Sequence, residues 1–360
     1  MEVLAWVGFS QSLFSGFILS FVKKDQSISN RLLAAWFFIS ALEFLLAGLD
    51  TRTGSIYLSN PFLIFNPLIY FYSKSLIKHN LKLRWYHTFH ILPYLLLTVG
   101  AYSLNIRFTN IHFFSIDSST WFKVIFGLTS VFSFIAYSVP TVINIHRYRI
   151  NLKNEYSTLD RQITLGWLLF VIIYYMVFMI TAYTLGLVHI ITHEVTYSIL
   201  VTFSFLLTLI YIFSFYGLLQ GRIYPVIENE EERKQEIYKN PRLEPEEKGK
   251  IREALETFFQ QEKPYLDSRL TITMVSASLG VARHKLTEVL NTDIGKNFYR
   301  FVNEYRVEEV KGMLSNPAYN HYSIEAIGYE CGFNSKSTFF SVFKDMSGMT
   351  PAQFKKTLES

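Results

Sequence analysis

Cysteine is nearly absent from this chain, whose 360 residues include one, Cys331. A single cysteine excludes an intrachain disulfide and a cysteine-based metal cluster, and in a helical apolar context it favours a packing role. Charge is scarce as well, since 18% of the residues are charged against roughly 25% in ordinary soluble domains. Apolar residues take the place of charge: half of the chain is hydrophobic and 17% is aromatic. The composition therefore indicates that much of the chain lies in a membrane.

The net charge of +5 invites a nucleic-acid interpretation, but its location argues against one. Residues 1–221 carry an excess of six basic groups, residues 222–245 carry an excess of one acidic group, and residues 246–360 are balanced. The basic excess therefore belongs to the apolar part of the chain and is no footprint of DNA binding. A DNA-binding function has to be argued from sequence motifs instead.

Long apolar runs recur before Gly221, and seven of them approach the ~20 residues that a membrane-spanning helix needs. The third run is the weakest, because it is short and holds Pro61, Asn66 and Pro67. We therefore predict an all-α chain that opens with a seven-helix transmembrane bundle over residues 1–220. The predicted spans are Val3–Val22, Leu32–Leu49, Tyr57–Ser73, Thr88–Asn105, Phe122–Ile145, Ile163–Val188 and Val195–Leu219.

Basic residues collect in alternate loops between the predicted spans. The loops after the first, third and fifth spans hold eleven Lys and Arg residues, whereas Arg52 and Arg107 are the basic residues of the other loops. Since cationic loops stay in the cytoplasm, we expect a multi-pass protein of the inner membrane with its N-terminus outside and its C-terminus in the cytoplasm. An odd number of spans requires the same opposite placement of the two ends.

Polar side chains inside the predicted spans are few, and Glu43 and Asn66 stand out as a candidate sensor site. A carboxylate in hydrocarbon is costly, so Glu43 is expected to face the interior of the bundle or to be protonated. Two interpretations of Glu43 stay open: a ligand-pocket or switch residue, and a structural hydrogen bond to a neighbouring helix.

Residues 221–247 are polar and contain Pro225, Pro241 and Pro245, which predicts a connector between two domains. The segment has no Gly- and Ser-rich tract, so a floppy tether is not expected. A semi-rigid connector could transmit a motion of the bundle, or it could only hold the next domain clear of the lipid.

Helical periodicity resumes after the connector and predicts two helix-turn-helix units over residues 248–358. In the first unit, the turn Leu279–Val281 precedes a helix that starts at Arg283. In the second unit, the turn Cys331–Phe333 precedes a helix that Ser335 caps. A longer helix, with apolar residues at the 3.6-residue period, joins the two units.

The second helix of each unit is expected to enter a major groove of DNA with its early residues toward the base edges. Arg and Lys suit guanine or phosphate, Ser and Thr suit several bases, and Glu accepts from cytosine N4. Any one of these side chains could equally be a solvated surface residue. The predicted DNA-binding residues are Arg283, His284, Thr287 and Glu288 in the first unit, and Lys336, Ser337, Ser341 and Lys344 in the second.

The C-terminal residues resemble the DNA-binding domain of AraC/XylS-type transcription regulators over roughly residues 248–356. The most specific stretch, Ile324–Phe354, reads IEAIGYECGFNSKSTFFSVFKDMSGMTPAQF and follows the family's spacing of Gly-Phe, Ser, Phe, Phe-Lys, Gly, Pro and a final aromatic residue. A second stretch, Gly295–Phe298 with Asn303 and Arg306, also matches the family's pattern. The resemblance implies sequence-specific binding to a promoter operator.

Three positions depart from that pattern. Gly328 and Ser276 stand where Ala is usual, and Ala282 stands where a capping Ser is usual. The glycine lowers helix propensity by ~1 kcal/mol, the serine can bond back to a carbonyl, and the missing cap could cost ~1 kcal/mol. We therefore expect the first recognition helix to be held less firmly than the second.

Together these features predict a membrane-anchored, one-component transcription regulator. The N-terminal half is similar to the multi-spanning sensor regions of some AraC-type regulators, so a small-molecule or membrane signal sensed by the bundle would control binding to a promoter operator. The neutral DNA-binding domain suggests modest affinity per chain, so we expect either a homodimer in the membrane plane or paired operator sites. We expect no cofactor, no metal site and no catalysis. Two alternatives stay open: a membrane transporter and a scaffold protein, each with a helical cytoplasmic control module.

Overall fold

In a computed structural model, the chain divides into two compact units. The N-terminal unit combines residues 1–146 with 165–225, and the C-terminal unit combines residues 147–164 with 226–360. Of the predicted connector, only the part from Leu243 onward is described. The structure describes residues 2–22, 27–53, 62–78, 81–104, 116, 118–159, 163–192, 196–219 and 243–358.

The regular elements of the described residues are helices, which agrees with the predicted all-α class. Each of the seven predicted spans overlaps a helix of the first part of the chain. A π-helical turn, Ile18–Val22, extends the first of these helices, and a 3-10 turn, Trp85–Ile91, precedes the fourth. The helices are α1 (Glu2–Phe17), α2 (Ile28–Thr53), α3 (Phe62–Ile77), α4 (Leu92–Ser103), α5 (Thr120–Glu155), α6 (Gly166–Thr192) and α7 (Thr196–Leu219).

By length and composition, three stretches of the described helices could cross a membrane: Glu2–Phe21, Ile28–Leu49 and Thr120–Glu155. Shorter apolar helices cover Phe62–Ile77, Gly166–Thr181 and Val201–Gly217. The fourth predicted span falls on the end of the 3-10 turn and on α4, which by itself holds 12 residues, fewer than the ~20 residues of a span. The seven-span arrangement remains a prediction.

Small residues on one face of α1 let α2 approach it closely. Ala5, Gly8 and Ser12 are buried there, and a Cβ added to Gly8 would lie 2.3 Å from the ring of Phe44 on α2. Small-residue faces of this kind bring helix backbones together where lipid leaves little hydrophobic force between helices. This close approach depends on a residue without a side chain at position 8.

The C-terminal unit is built around one long helix that contributes to two hydrophobic cores. Phe298, Phe301 and Val302 at its start belong to the first core, whereas Val310 and Leu314 near its end belong to the second. One helix therefore fixes both helix-turn-helix units. The helices of this unit are α8 (Pro245–Glu262), α9 (Ile272–Leu279), α10 (Arg283–Glu288), α11 (Phe298–Ser315), α12 (Ile324–Glu330), α13 (Lys336–Ser347) and α14 (Pro351–Leu358).

The first recognition helix is shorter than the periodicity predicts. The sequence indicates a helix from Arg283 to Leu290, but α10 ends at Glu288 and continues as a π-helical turn over Val289–Ile294. Gly295, with φ of 73°, ends this turn in the left-handed region that favours glycine. The wider turn still buries the apolar side chains that the periodicity assigned to the core.

Candidate nucleic-acid interface

The second helix-turn-helix unit, α12 and α13, is capped at both helix starts. Ser323 Oγ accepts a hydrogen bond from Ala326 N–H (3.1 Å), and Ser335 Oγ accepts one from Thr338 N–H (3.2 Å). Each cap satisfies one of the N–H groups that a helix start leaves without a partner. Both helices therefore begin at defined residues, as the sequence predicts for Ser335.

Helix α13 presents a polar face beside a buried apolar one. Phe339, Val342 and Phe343 are buried in the second core. The predicted DNA-binding residues of this helix, Lys336, Ser337, Ser341 and Lys344, are all exposed. Lys336 pairs with Glu325 of α12, and its Nζ lies 5.8 Å from the centre of the Phe340 ring. The helix thus offers hydroxyl and ammonium groups on one surface, which suits a groove lined by base edges and phosphates.

The first unit, α9 and α10, is capped at one helix only. Thr271 Oγ1 accepts a hydrogen bond from Met274 N–H (3.3 Å) and caps α9, and Gly280, with φ of 64°, ends it. Ala282 occupies the N-cap of α10 and provides no side-chain bond, as its sequence predicts. Ser276 Oγ donates to the Val281 carbonyl and so ties down the turn. The serine that departs from the family pattern therefore braces the turn ahead of the uncapped helix.

The predicted DNA-binding residues of α10 need a correction in their exposure. Arg283, His284, Thr287 and Glu288 are interpreted from the sequence as exposed positions, but all four are half-buried in the structure. Two of them form ion pairs with neighbouring segments, which periodicity could not reveal. Arg283 Nη2 pairs with Glu155 Oε1 (3.1 Å) at the end of α5, and the Glu288 carboxylate pairs with Lys248 Nζ of α8 (2.9 Å). Whether these residues contact DNA remains a prediction.

Arg306 of α11 is completely buried, and its guanidinium is surrounded by hydrogen-bond acceptors. Its Nε donates to the Tyr265 carbonyl (2.7 Å) and its Nη2 to the Asp267 carbonyl (2.8 Å). Burial lowers the pKa of Arg306 to about 10 because desolvation penalises the charged form. The sequence singles out Arg306 as part of a matching motif but assigns it no contact.

The remaining donors of Arg306 reach the segment that follows α5. Arg306 Nη1 donates to the Ser157 carbonyl (3.0 Å) and to Thr158 Oγ1 (3.0 Å), and Nη2 donates to Ser157 Oγ (3.1 Å). Asn303 Nδ2 also donates to the Ser157 carbonyl (2.9 Å). Sequence reasoning missed this segment, because no local pattern shows that residues about 150 positions apart share hydrogen bonds.

The two candidate sensor residues lie on consecutive helices of the N-terminal unit. Glu43 is buried on α2, and Asn66 is buried on α3. Asn66 Nδ2 donates to Ser133 Oγ of α5 (3.1 Å). The amide of Asn66 therefore joins two helices, which is the structural use of a polar group inside an apolar bundle.

The comparisons with known proteins concern the C-terminal unit. Residues 275–357 match a family model described as a helix-turn-helix domain. A 91-residue stretch is 33% identical to an "Uncharacterized HTH-type transcriptional regulator in cgkA 5'region" of Pseudoalteromonas carrageenovora, and covers 25% of this chain and 52% of that protein. An 88-residue stretch is 27% identical to the "Uncharacterized HTH-type transcriptional regulator YdeC" of Bacillus subtilis (strain 168), and covers 24% of this chain and 29% of that protein.

These matches cover only part of this chain and only part of each relative. The chain spans about half the length of the first curated relative and 29% of the second. No solved structure matches the chain. The family match confirms the helix-turn-helix domain of AraC type that the sequence predicts at the C-terminus, and the similar proteins are named as transcriptional regulators.

Proposed function

We propose that this chain is a membrane-anchored, one-component transcription regulator that binds a promoter operator under the control of a signal sensed by its apolar helices. The observation that carries the proposal is the presence, in one polypeptide, of long apolar helices and a helix-turn-helix domain with an exposed, capped recognition helix. The apolar helices would supply the anchor and the input, and the domain would supply the output.

The proposed interface with DNA consists of α10 and α13. On α13, Ser337 and Ser341 would face base edges, while Lys344 would contact phosphate. On α10, Arg283 and His284 would be the first residues to meet the groove, with Thr287 and Glu288 one turn later. The exposure of α13 and the partial burial of α10 suggest that the second unit binds first.

The proposed anchor is the seven-helix arrangement of residues 1–220, followed by a connector over 221–247 and the DNA-binding domain over 248–358. The asymmetry of Lys and Arg between alternate loops supports a proposed orientation with the N-terminus outside and the C-terminus in the cytoplasm of a bacterial cell. Two chains held in one membrane would raise each other's local concentration at paired half-sites. A homodimer is therefore the proposed working form.

The proposed sensor site lies among the buried polar groups of the N-terminal unit. Glu43 is buried in an apolar helix, where an ionisable group is costly and marks a functional site by default. Asn66 is next to Pro67, which frees a backbone carbonyl inside α3. A small molecule or a change in the bilayer that alters these contacts would be the signal.

The test uses the full chain in lipid nanodiscs and a random library of duplex DNA. Repeated selection is expected to enrich one sequence family, which footprinting then localises. The Lys344→Ala variant is expected to bind the selected duplex more weakly and to lower the slope of log affinity against log salt by about one. The Lys311→Ala variant is the matched control, because Lys311 pairs with Glu308 on α11. If repeated selection with the full chain enriches no duplex sequence, the proposal is contradicted.

A further inference from the structure

The segment Glu155–Thr158, itself part of the C-terminal unit, packs against the helix-turn-helix domain of that unit as a bound peptide would. Tyr156 forms an antiparallel bridge with Thr271, the residue that caps α9. Ser157 is buried, and both its N–H (3.2 Å) and its hydroxyl (2.7 Å) donate to the Leu270 carbonyl. The contact is therefore made by backbone and side-chain groups of the segment together.

The receiving site is built from buried polar side chains. Three of the hydrogen bonds from Arg306 and one from Asn303 end on Ser157 or Thr158. The side chains of Arg306 and Asn303 are fully buried. An unsatisfied buried donor costs more than an average hydrogen bond contributes, above all when the donor is charged, so the segment satisfies groups that would otherwise need water. A site of this kind selects a short strand that offers a carbonyl and two hydroxyl oxygens.

One end of the segment reaches the first recognition helix. The Glu155 carboxylate lies 3.1 Å from the guanidinium of Arg283, the first residue of α10, and the side chain of Glu155 is only 12% exposed. A guanidinium binds carboxylates and phosphates with the same planar fork of donors. The Glu155 carboxylate and a DNA phosphate are therefore alternative anions for Arg283.

We propose that Glu155–Thr158 is an internal ligand of the DNA-binding domain, and that this segment and DNA compete for Arg283. The competition rests on the proposed DNA-binding function, whereas the docking does not. Docked, the segment satisfies Arg306 and holds Arg283 away from DNA. Undocked, it withdraws the Glu155 carboxylate from Arg283 and lets α10 enter the groove. Because Glu155 is the last residue of α5, a rotation or shift of that helix moves the segment directly.

Docking is tested by oxidative cross-linking of the full chain in native membranes. Residues opposite each other on antiparallel strands have Cα atoms about 4.5 to 5.5 Å apart, within the ~4.4 to 6.8 Å between Cα atoms that a disulfide spans. The Tyr156→Cys, Thr271→Cys double variant is therefore expected to close an intramolecular disulfide, seen as a shift in gel mobility without reductant. The native Cys331 stays in place, because it is buried.

The control pair is Ile150→Cys with Thr271→Cys. Ile150 lies about 9 Å earlier along the axis of α5 and has a half-exposed side chain, and the pair carries the same substitution at Thr271. We expect the Tyr156 pair to close at least about tenfold faster than the control pair. Equal rates would show that the segment is not docked, whatever the chain does with DNA.

Competition is tested by measuring the affinity of the full chain in nanodiscs for the duplex that the selection enriches. Glu155→Gln removes the carboxylate that pairs with Arg283, and we expect about fivefold tighter binding, the size expected for loss of one partly buried ion pair. Glu308→Gln is the matched control, since it removes the same charge from an exposed pair with Lys311.

The outcomes separate the two proposals. Rapid cross-linking of the Tyr156 pair, together with tighter DNA binding by Glu155→Gln but not by Glu308→Gln, supports both docking and competition. Rapid cross-linking with unchanged affinity of Glu155→Gln overturns the competition and leaves the docking. If the Tyr156 pair cross-links rapidly but the chain binds no DNA duplex, the proposed function and the competition are both overturned. The docking is then still established.

Discussion

Gly332 occupies the turn between α12 and α13 with φ of 88°, a conformation that L side chains rarely adopt. A Cβ added there would lie 2.3 Å from the Tyr265 carbonyl and 3.0 Å from Arg306 Nε. The turn therefore passes directly over the loop whose carbonyls accept hydrogen bonds from Arg306. The turn of the second helix-turn-helix unit and the close packing around the buried Arg306 therefore both depend on Gly332.

We predict that Gly332→Ala lowers the free energy of unfolding of the C-terminal unit by about 2 to 4 kcal/mol, because the substitution combines backbone strain with a steric clash. Hydrogen exchange of peptides from α11 to α13, read by mass spectrometry, measures the change. The matched control is Gly312→Ala on α11, where a Cβ meets no atom within 4 Å. In this control the free energy of unfolding should rise by about 0.5 to 1 kcal/mol, because alanine suits a helix interior better than glycine does. Equal rates of hydrogen exchange in the two variants would contradict the prediction.

Cys331 is expected to be unreactive in the folded chain. Burial, followed by the nearby carboxylates of Glu309 and Glu330, raises the pKa of its thiol from the ordinary 9.0 to about 12. Iodoacetamide at pH 9 should therefore label Cys331 only after denaturant is added, because the thiolate is the reactive species. Mass spectrometry of the single cysteine reads the result, and rapid labelling of the native chain would show that the thiol is accessible.

The same pKa difference has a consequence for stability. The thiol ionises near pH 9 in the unfolded chain and near pH 12 in the folded one, so the unfolded state releases its proton first as the pH rises. The stability that depends on the neutral thiol is complete below pH 9 and is lost between pH 9 and about 12.

At the scale of helices, the two recognition helices differ in how they begin and in what covers them. Helix α13 starts at a serine cap and exposes its polar face, whereas α10 starts at Ala282 without a side-chain cap. The backbone of Ala282, with φ of −61° and ψ of 137°, already has the extended conformation of an N-cap. Helix α10 therefore lacks only the capping oxygen.

We predict opposite effects of exchanging the two cap residues. Ala282→Ser should stabilise α10 by about 1 kcal/mol, and Ser335→Ala should destabilise α13 by a similar amount. Hydrogen exchange in peptides from each helix measures both effects in the full chain. The changes should stay local to the substituted helix, and a loss of protection in α10 on adding the serine would contradict the argument.

At the scale of the whole molecule, the N-terminal and C-terminal parts of the chain differ in net charge and in the length of their apolar helices. Residues 1–221 hold the basic excess and the long apolar helices, whereas residues 246–360 are balanced in charge and hold the helix-turn-helix domain. Helix α5 begins in the first unit and ends in the second. The chain therefore has a helical connection between its units in addition to the predicted connector.

We predict that the C-terminus lies in the cytoplasm and that the loop after Asn105 lies outside. Fusion of a fluorescent protein that matures only in the cytoplasm should give signal at the C-terminus and none after Asn105. Fusion of an alkaline phosphatase that is active only outside should give the reverse pattern. Phosphatase activity at the C-terminus would exclude any contact of this domain with chromosomal DNA.

The sequence alone determined much of the C-terminal unit. Apolar spacing, capping serines and turn glycines are local signals, because each acts within a few residues. They predicted both helix-turn-helix units and their order, and they predicted the cap at Ser335. The apolar runs likewise located the helices of the first part of the chain, although by length and composition three described stretches could cross a membrane.

Tertiary structure alone decided what covers the site and what fills the core. From the sequence, Gly328 keeps a close helix approach at a loss of helix propensity, and the structure supplies the partner: a Cβ there would lie 2.6 Å from the Phe339 ring. The half-burial of α10 and the docking of Ser157 on Arg306 depend on contacts between residues far apart in the chain. Local patterns carry no record of such contacts, because they arise only when separate helices pack together and exclude water.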